Sequence, residues 1–353
     1  MNLQERQQAF INLGIFLAQF KLTSIKKDDS IACNSPHFEQ LKTNIVSSVH
    51  HNGWFTEENV LYAIETWAAA LSESAILRWT KKYQFKDESL KKVVIITAGN
   101  IPLVGFHDFI SVLMAGHKLL IKQSASDQNL LPVLVDFLIC IEPRFKDRIT
   151  FTESQLTDFD AVIATGSNNT ARYFEHYFKK YPHIIRKNRN AVAVLSGKES
   201  ADELEALGED IFRFFGLGCR SVSKIFVPRN YDFDKLFNAV YKQHEIIEYL
   251  KYKNNYDYNK TVYLMSQISL LENGFLVLKE DTSYASPIAT LFYEYYDDEV
   301  ALENKLKMDK DQIQCIVSQK QTADTVAFGQ TQKPQLWDYA DGVDTIDFLL
   351  KLN

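Results

Sequence analysis

Apolar and polar residues change rhythm once along the chain. Up to about residue 85 the apolar positions recur at helical spacing. Phe10, Leu13, Leu17 and Phe20 fall on one helical face. Thr56 is placed as an N-cap, with Glu57 and Glu58 in the first turn behind it. Val60, Ile64, Trp67, Ala68 and Leu71 then make one apolar stripe. From Lys91 onward, short β-branched runs alternate with helical segments. The runs are Val93–Thr97, Lys118–Lys122, Asp160–Ala164, Ala191–Leu195 and Lys224–Val227. Most end in a turn or N-cap residue that opens a helix, which predicts parallel α/β architecture. The apolar run Ile346–Leu350 reads as a closing strand. The best boundary lies near residue 190, after the basic segment Arg186–Arg189, giving domains 1–190 and 191–353.

Composition narrows the class without naming it. Hydrophobic residues make up 46% and charged residues 24% of the 353, as in ordinary globular chains. A net charge of −6 gives no footprint for nucleic acid or an anionic membrane. The longest apolar run, Leu130–Ile141, is 12 residues and carries Asp136, short of the roughly 18 that a membrane span needs. The mixed charges Glu5 and Arg6, with Asn12 and Gln19, argue against a signal peptide at the N-terminus. Cys33, Cys140, Cys219 and Cys315 are far apart and form no CxxC pair, so free thiols and a reducing cytoplasm are expected. Cys33 and His37 show a C-x3-H spacing, but two ligands make no metal site, and no metal is expected.

Three stretches carry candidate chemistry. There is neither a GxGxxG nor a Walker A motif. The first stretch is Val94–Pro102, where a strand runs into Gly99-Asn100 and then a proline that opens a helix. A side-chain amide at such a strand-to-helix switch can donate to a substrate oxygen, or the residues are simply turn chemistry. The second is a pair of strand ends, Lys122-x-Ser124 and Thr165-Gly166-Ser167. Ser167 reads as an N-cap beside glycine, a setting that suits a pyrophosphate but also serves structure alone. Lys122 could reach a ribose or a phosphate, or be a solvated strand end. The third is Phe214-Phe-Gly-Leu-Gly-Cys-Arg220. Glycine there lets a ligand approach the main chain. Cys219 is the one cysteine in a glycine-rich setting outside an apolar run, and Arg220 beside it favours a thiolate.

Together these stretches resemble the aldehyde dehydrogenase superfamily, and within it the acyl-CoA reductase family that includes the long-chain acyl reductase of bacterial luminescence. The ordered set is Gly99-Asn100-x-Pro102, Lys122-x-Ser124, Thr165-Gly166-Ser167, Leu195-Ser-Gly-Lys198, Gly218-Cys219 and Ser286-Pro287, and it covers roughly residues 90 to 353. The resemblance implies two Rossmann-like α/β domains with the active site between them and a helical N-terminal region. It implies Cys219 as the nucleophile and Asn100 as an oxyanion donor together with the cysteine's own N–H. It implies Lys122 and Ser124 at the adenosine ribose and Gly166 and Ser167 at the pyrophosphate of NADP or NAD.

Two departures from the family pattern bear on the reaction. The glutamate of Glu-Leu-Gly-Gly-Lys in hydrolytic members falls on Val194 of Val194-Leu-Ser-Gly-Lys198. Loss of that base favours acyl exchange with a thiol over hydrolysis. The ribose-binding glutamate of Glu-x-Phe-Gly-Pro falls on Ser283. The resemblance thus implies NAD(P)H-dependent reduction of an acyl-CoA or related acyl thioester to an aldehyde. The alternatives are another acylating aldehyde dehydrogenase, an acyl-phosphate-type reductase, or a silent nucleotide-binding scaffold. A homodimer, or an acyltransferase or synthetase partner, fits the family.

Smaller features add little. Aromatic residues reach 13%, with Phe212, Phe214 and Phe215 crowding the segment before Cys219 as candidate walls of an acyl tunnel. His107, seven residues past Asn100, is a possible proton shuttle or a core histidine. His50-His51 before the turn signal Asn52-Gly53 carries no assigned role. Asp338, Asp341 and Asp344 are either a ligand cluster or loop and cap residues.

Overall fold

The computed structural model describes residues 1–85, 90–322 and 325–352. The chain forms two compact units. One holds Met1–Lys187 and the stretch from Pro334 onward; the other holds Asn188–Lys333.

The first unit begins with helices. They are α1 (Leu3–Leu17), α2 (Asn34–His51), α3 (Glu57–Ala70) and α4 (Glu73–Thr80), with the two-stranded ribbon β1 (Phe20–Lys21) and β2 (Ser24–Ile25) between the first two. Local signals set their starts. Asn2 and Glu5 form a capping box on α1, and Thr56 Oγ1 accepts the Asn59 N–H at 3.3 Å on α3. A parallel α/β segment comes next: β3 (Lys92–Ile96), α5 (Phe106–Ala115), β4 (Lys118–Lys122), α6 (Leu130–Ile141), β5 (Ile149–Phe151), β6 (Ala161–Thr165), α7 (Asn168–Phe178) and β7 (His183–Arg186). The sheet order is β5-β4-β3-β6-β7, with every pairing parallel. Side chains of β3 alternate between two cores. Val93 and Ile95 join the large core of the N-terminal helices, while Val94 joins Val162, Ala164 and Phe178 on the opposite face. Covering both faces is what a parallel sheet requires.

The second unit comprises β8 (Asn190–Val194), α8 (Ala201–Phe212), β9 (Val222–Pro228), α9 (Phe233–Val240), α10 (Leu250–Met265), β10 (Leu271–Glu272), β11 (Val277–Glu280), β12 (Thr290–Tyr296), α11 (Glu299–Met308), β13 (Ile313–Ser318) and β14 (Thr325–Val326). Its sheet order is β10-β11-β12-β9-β8-β13-β14, and only the β10–β11 pairing is antiparallel.

Four expectations are corrected. The run Ile346–Leu350 is not a strand but lies in helix α12 (Thr345–Leu350), capped by Asp344, whose side chain accepts the Asp347 N–H at 3.0 Å. Pro102 lies in a turn and opens no helix; α5 starts only at Phe106. Residues from Pro334 onward belong to the first unit rather than to the second. Arg186, 6% exposed, fastens them: it pairs with Asp108 at 2.6 Å and donates to the Ala340 carbonyl at 2.8 Å and to Thr345 Oγ1 at 3.0 Å. Finally, Cys33 and Cys140 are not free thiols. They form a disulfide across 107 residues of sequence, joining the start of α2 to the end of α6. The ground for inferring a reducing compartment is removed with it. Cys219 and Cys315 form no disulfide.

No single described helix is long and apolar enough to cross a membrane, and the pair α3–α4 reaches that length only across a 63° bend. Among the described residues no three His, Cys, Asp or Glu side chains gather as metal ligands, and His37 Nδ1 pairs instead with the Cys33 carbonyl at 2.7 Å.

Candidate active site

The expected residues of the first unit come to one edge of its sheet. From β3 the chain builds outward to β4 and β5; from β6 it builds the other way to β7. The order reverses between β3 and β6, and α/β folds bind ligands at the carboxyl ends of strands at such a switch. The loop after β3 carries Asn100, the end of β4 carries Lys122 and Ser124, and the turn after β6 carries Gly166 and Ser167.

Close packing shapes this edge. A Cβ on Gly99 would sit 2.7 Å from Ser124 Oγ, so the Asn100 loop lies directly against the end of β4. A Cβ on Gly166 would meet Thr170 at 3.0 Å, and glycine there keeps the turn tight against its helix. Ser167 Oγ accepts the Thr170 N–H at 3.2 Å and caps α7, as expected. Lys122 Nζ donates to the Ser154 carbonyl at 3.3 Å. A tight glycine turn ahead of a capped helix after β6, with a lysine and a serine at the end of β4 on the other side of β3, is an arrangement that could hold the pyrophosphate and ribose of a nucleotide.

Two further residues brace the Asn100 loop, and neither stands out in the sequence. Asn52, the C-cap of α2, donates its Nδ2 to the Gly99 carbonyl at 2.9 Å. Asp127 Oδ2 accepts the Leu103 N–H at 3.0 Å and fixes Leu103 at φ +57°. Asp127 Oδ1 is buried with no hydrogen-bond partner, and burial lifts the carboxyl to about 7 despite the Leu103 contact. The only signal for Asn52 was the Asn-Gly turn; Asp127 gave none.

His107 belongs to the core. It is enclosed by Trp67, Trp79 and Tyr339, its Nε2 meets the Leu336 carbonyl at 2.9 Å, and burial pushes its pKa down. Asp344 accepts from Tyr83 and Lys82, and Asp338 accepts the Gln335 N–H. Asp338 and Asp344 are therefore loop and cap residues.

In the second unit, Cys219 stands in a turn just before β9, closed by the Ser221 N–H donating to the Gly218 carbonyl at 2.9 Å. Its thiol forms no disulfide and is partly exposed. The approach to it is strained. Phe214, Phe215 and Gly216 succeed one another at φ +55°, +58° and +75°. Two non-glycine residues in that region cost about 1–3 kcal/mol each and persist only where neighbours over-determine them. Phe215 stacks on Tyr249 with ring centroids 4.8 Å apart. Phe212 and Phe215 line a small open cleft, with Ile211, Val222, Ser286 and Ala289 among its other walls. Phe214 is not among its lining residues.

The stretch Val194–Lys198 is not brought to Cys219. β8 and β9 run parallel, with Ala191 opposite Val222 and Val194 opposite Phe226. Val194 therefore leaves the sheet at the carboxyl edge, while Cys219 enters at the amino edge. An apolar Val194 says nothing about a base beside this cysteine. The residues that lead into β8 at the cysteine's own edge are Asn188, Arg189 and Asn190, none of them acidic. Glu199, the carboxylate nearest Val194 in sequence, is occupied by the N–H groups of Ser196 and Gly197. Ser283 donates its N–H to Asp281 Oδ1 at 2.8 Å, within the same unit.

The model of a family described as acyl-CoA reductase (LuxC) matches residues 38–273. No curated protein matches the sequence significantly. Among solved structures, aldehyde dehydrogenase 21 from Physcomitrella patens, in complex with succinate, superposes with a TM-score of 0.66 at 11% identity, covering 99% of this chain and 84% of that one. The NAD+ complex of aldehyde dehydrogenase from Bacillus cereus superposes with a TM-score of 0.61 at 12% identity, covering 92% and 73%. Likenesses at this identity establish the fold, which is that of the aldehyde dehydrogenases.

Proposed function

The chain belongs to the acyl-CoA reductase (LuxC) family, and from that premise we propose that it reduces an acyl thioester to the aldehyde through an acyl-enzyme on Cys219. The class, an oxidoreductase working on acyl or aldehyde groups, comes with the family. The observation that carries the finer reading is the placement of Cys219. It is a partly exposed thiol outside any disulfide, in a turn reached through a strained run of residues that adjoins a cleft lined by Phe212 and Phe215.

In this reading the Cys219 thiolate attacks the thioester carbonyl, and the carbon–sulfur bond to the carrier breaks. The carrier leaves as a thiolate and takes up a proton, while the acyl group stays on Cys219. Splitting the reaction this way replaces one hard step with two easier ones. The oxyanion formed on attack is held by the Cys219 N–H and the Asn100 side chain. Lys122 and Ser124 would hold the ribose, and Gly166 and Ser167 the pyrophosphate, of NAD or NADP. The chemistry that such a nucleotide supplies, in its reduced form, is a hydride for the acyl carbon. Cys219 then departs as the thiolate and releases the aldehyde. No acidic residue of β8 shares the cysteine's edge, which agrees with a thioester kept from water.

The test is Cys219→Ser with an acyl-CoA and a reduced nicotinamide. Loss of acyl-dependent nicotinamide oxidation is expected; retention of it overturns the assignment.

A further inference from the structure

The cysteine turn does not stand alone in its unit. A strap at Gly329–Gln332 runs against the end of α8 and holds the two residues after Cys219. The Thr331 carbonyl accepts the Arg220 Nε–H, and Gln332 Nε2 donates to Ser221 Oγ at 3.2 Å. Thr331 is fully buried and Gln332 is 7% exposed.

The strap in turn hangs on Asp210, which is 1% exposed. Asp210 Oδ2 accepts the Gly329 N–H at 2.7 Å. Its Oδ1 accepts the Thr331 N–H at 3.0 Å and the Thr331 hydroxyl at 2.8 Å. Burial pushes this carboxyl up to about 6, and the three donors pull in the opposite direction. Gly329, at φ +74°, brings the strap so close to α8 that a Cβ would sit 3.1 Å from Ala206 Cβ. Two residues past Asp210, α8 ends at Phe212, and from Phe214 the left-handed run toward Cys219 follows. Asp210 thus closes the cysteine loop at both ends, through its own helix before the loop and through the strap after it.

We propose that Asp210 is a positioning residue for Cys219, acting through the Gly329–Gln332 strap on Arg220 and Ser221. This rests on the reading of Cys219 as the nucleophile. Asp210 needs no contact with substrate: it sets where the thiol and its backbone N–H point. A displacement of about 1 Å at a reacting group is worth ~100-fold in rate.

The experiment compares Asp210→Asn, Thr331→Val and Thr331→Ser with the wild-type chain. It reads four quantities: iodoacetamide alkylation at Cys219, located by peptide mass; single-turnover acylation by acyl-CoA; KM for the reduced nicotinamide; and the melting curve. Asn keeps the size of Asp but turns an NH2 group toward strap N–H donors. It is expected to slow acylation ~10–100-fold with an unchanged nicotinamide KM. Val is expected to slow it less, and Ser to restore it. If Asp210→Asn lowers the melting temperature while its folded protein acylates at the wild-type rate, the proposal is overturned. If the wild-type chain forms no acyl adduct at Cys219, the functional reading fails on its own. Alkylation then still decides the strap: wild-type alkylation in Asp210→Asn overturns it, and an altered rate supports it.

Discussion

Asn52 Nδ2 donates to the Gly99 carbonyl at 2.9 Å, and this single bond ties the end of a long N-terminal helix to the loop that carries Asn100. The N-terminal helices thus do more than cover one face of the sheet. Removing the amide leaves a carbonyl unpaired beside a residue only 9% exposed, a loss worth about 1–3 kcal/mol. Asn52→Ala should therefore lower kcat by about tenfold, through a loosened Asn100, with little change in KM for the acyl donor. Steady-state kinetics on the purified variant checks this, and an unchanged kcat would detach Asn52 from the site.

In the proposed reaction, Asn100→Ala removes a donor to charge that develops only during reaction. Such losses cost about 2.7–4 kcal/mol, so turnover should fall by roughly two to three orders of magnitude. Binding of the nucleotide, measured by fluorescence titration, should stay near wild type.

Asp127 predicts a pH dependence. Its carboxyl stands at about 7 in the folded chain against an unperturbed 3.8, so folding favours the protonated form. The stability it contributes is present in full below pH 3.8 and is lost as pH rises through 7, about 4 kcal/mol in all. Asp127→Asn keeps an acceptor for the Leu103 N–H and removes the titration. Denaturant melts from pH 5 to 8 should show the variant gaining on the wild type as pH rises. A constant difference across that range would contradict the burial argument.

The Cys33–Cys140 disulfide closes a loop across 107 residues, for which chain entropy alone gives roughly 4–5 kcal/mol. Reduction should lower the melting temperature, and Cys140→Ser should match the reduced wild type. Thiol titration of the unfolded, unreduced chain should find only Cys219 and Cys315.

The sequence made the parallel strands and the Thr56 and Ser167 caps legible because those signals are local: a β-branched run, or a hydroxyl three residues before the N–H that it accepts. Contacts between distant residues were not. Cys33 and Cys140 each look like isolated thiols until α2 and α6 pack together. Asn52 and Asp127 are ordinary loop polars until their partners, 47 and 24 residues away, are known. Ile346–Leu350 reads as a strand by its apolar run, although Asp344 already offered the cap of a short helix. The Val194–Lys198 match failed for another reason. Spacing along a chain does not say at which end of a sheet a segment emerges, and the register of β8 on β9 does.

The central claim is that Cys219 carries the acyl group. Intact-mass and peptide-mass measurement after incubation with acyl-CoAs of graded length, without nicotinamide, tests it most directly. The account predicts one acyl adduct per chain, located on Cys219 and discharged on adding the reduced nucleotide. An unmodified Cys219, or an adduct on Cys315 instead, would contradict it.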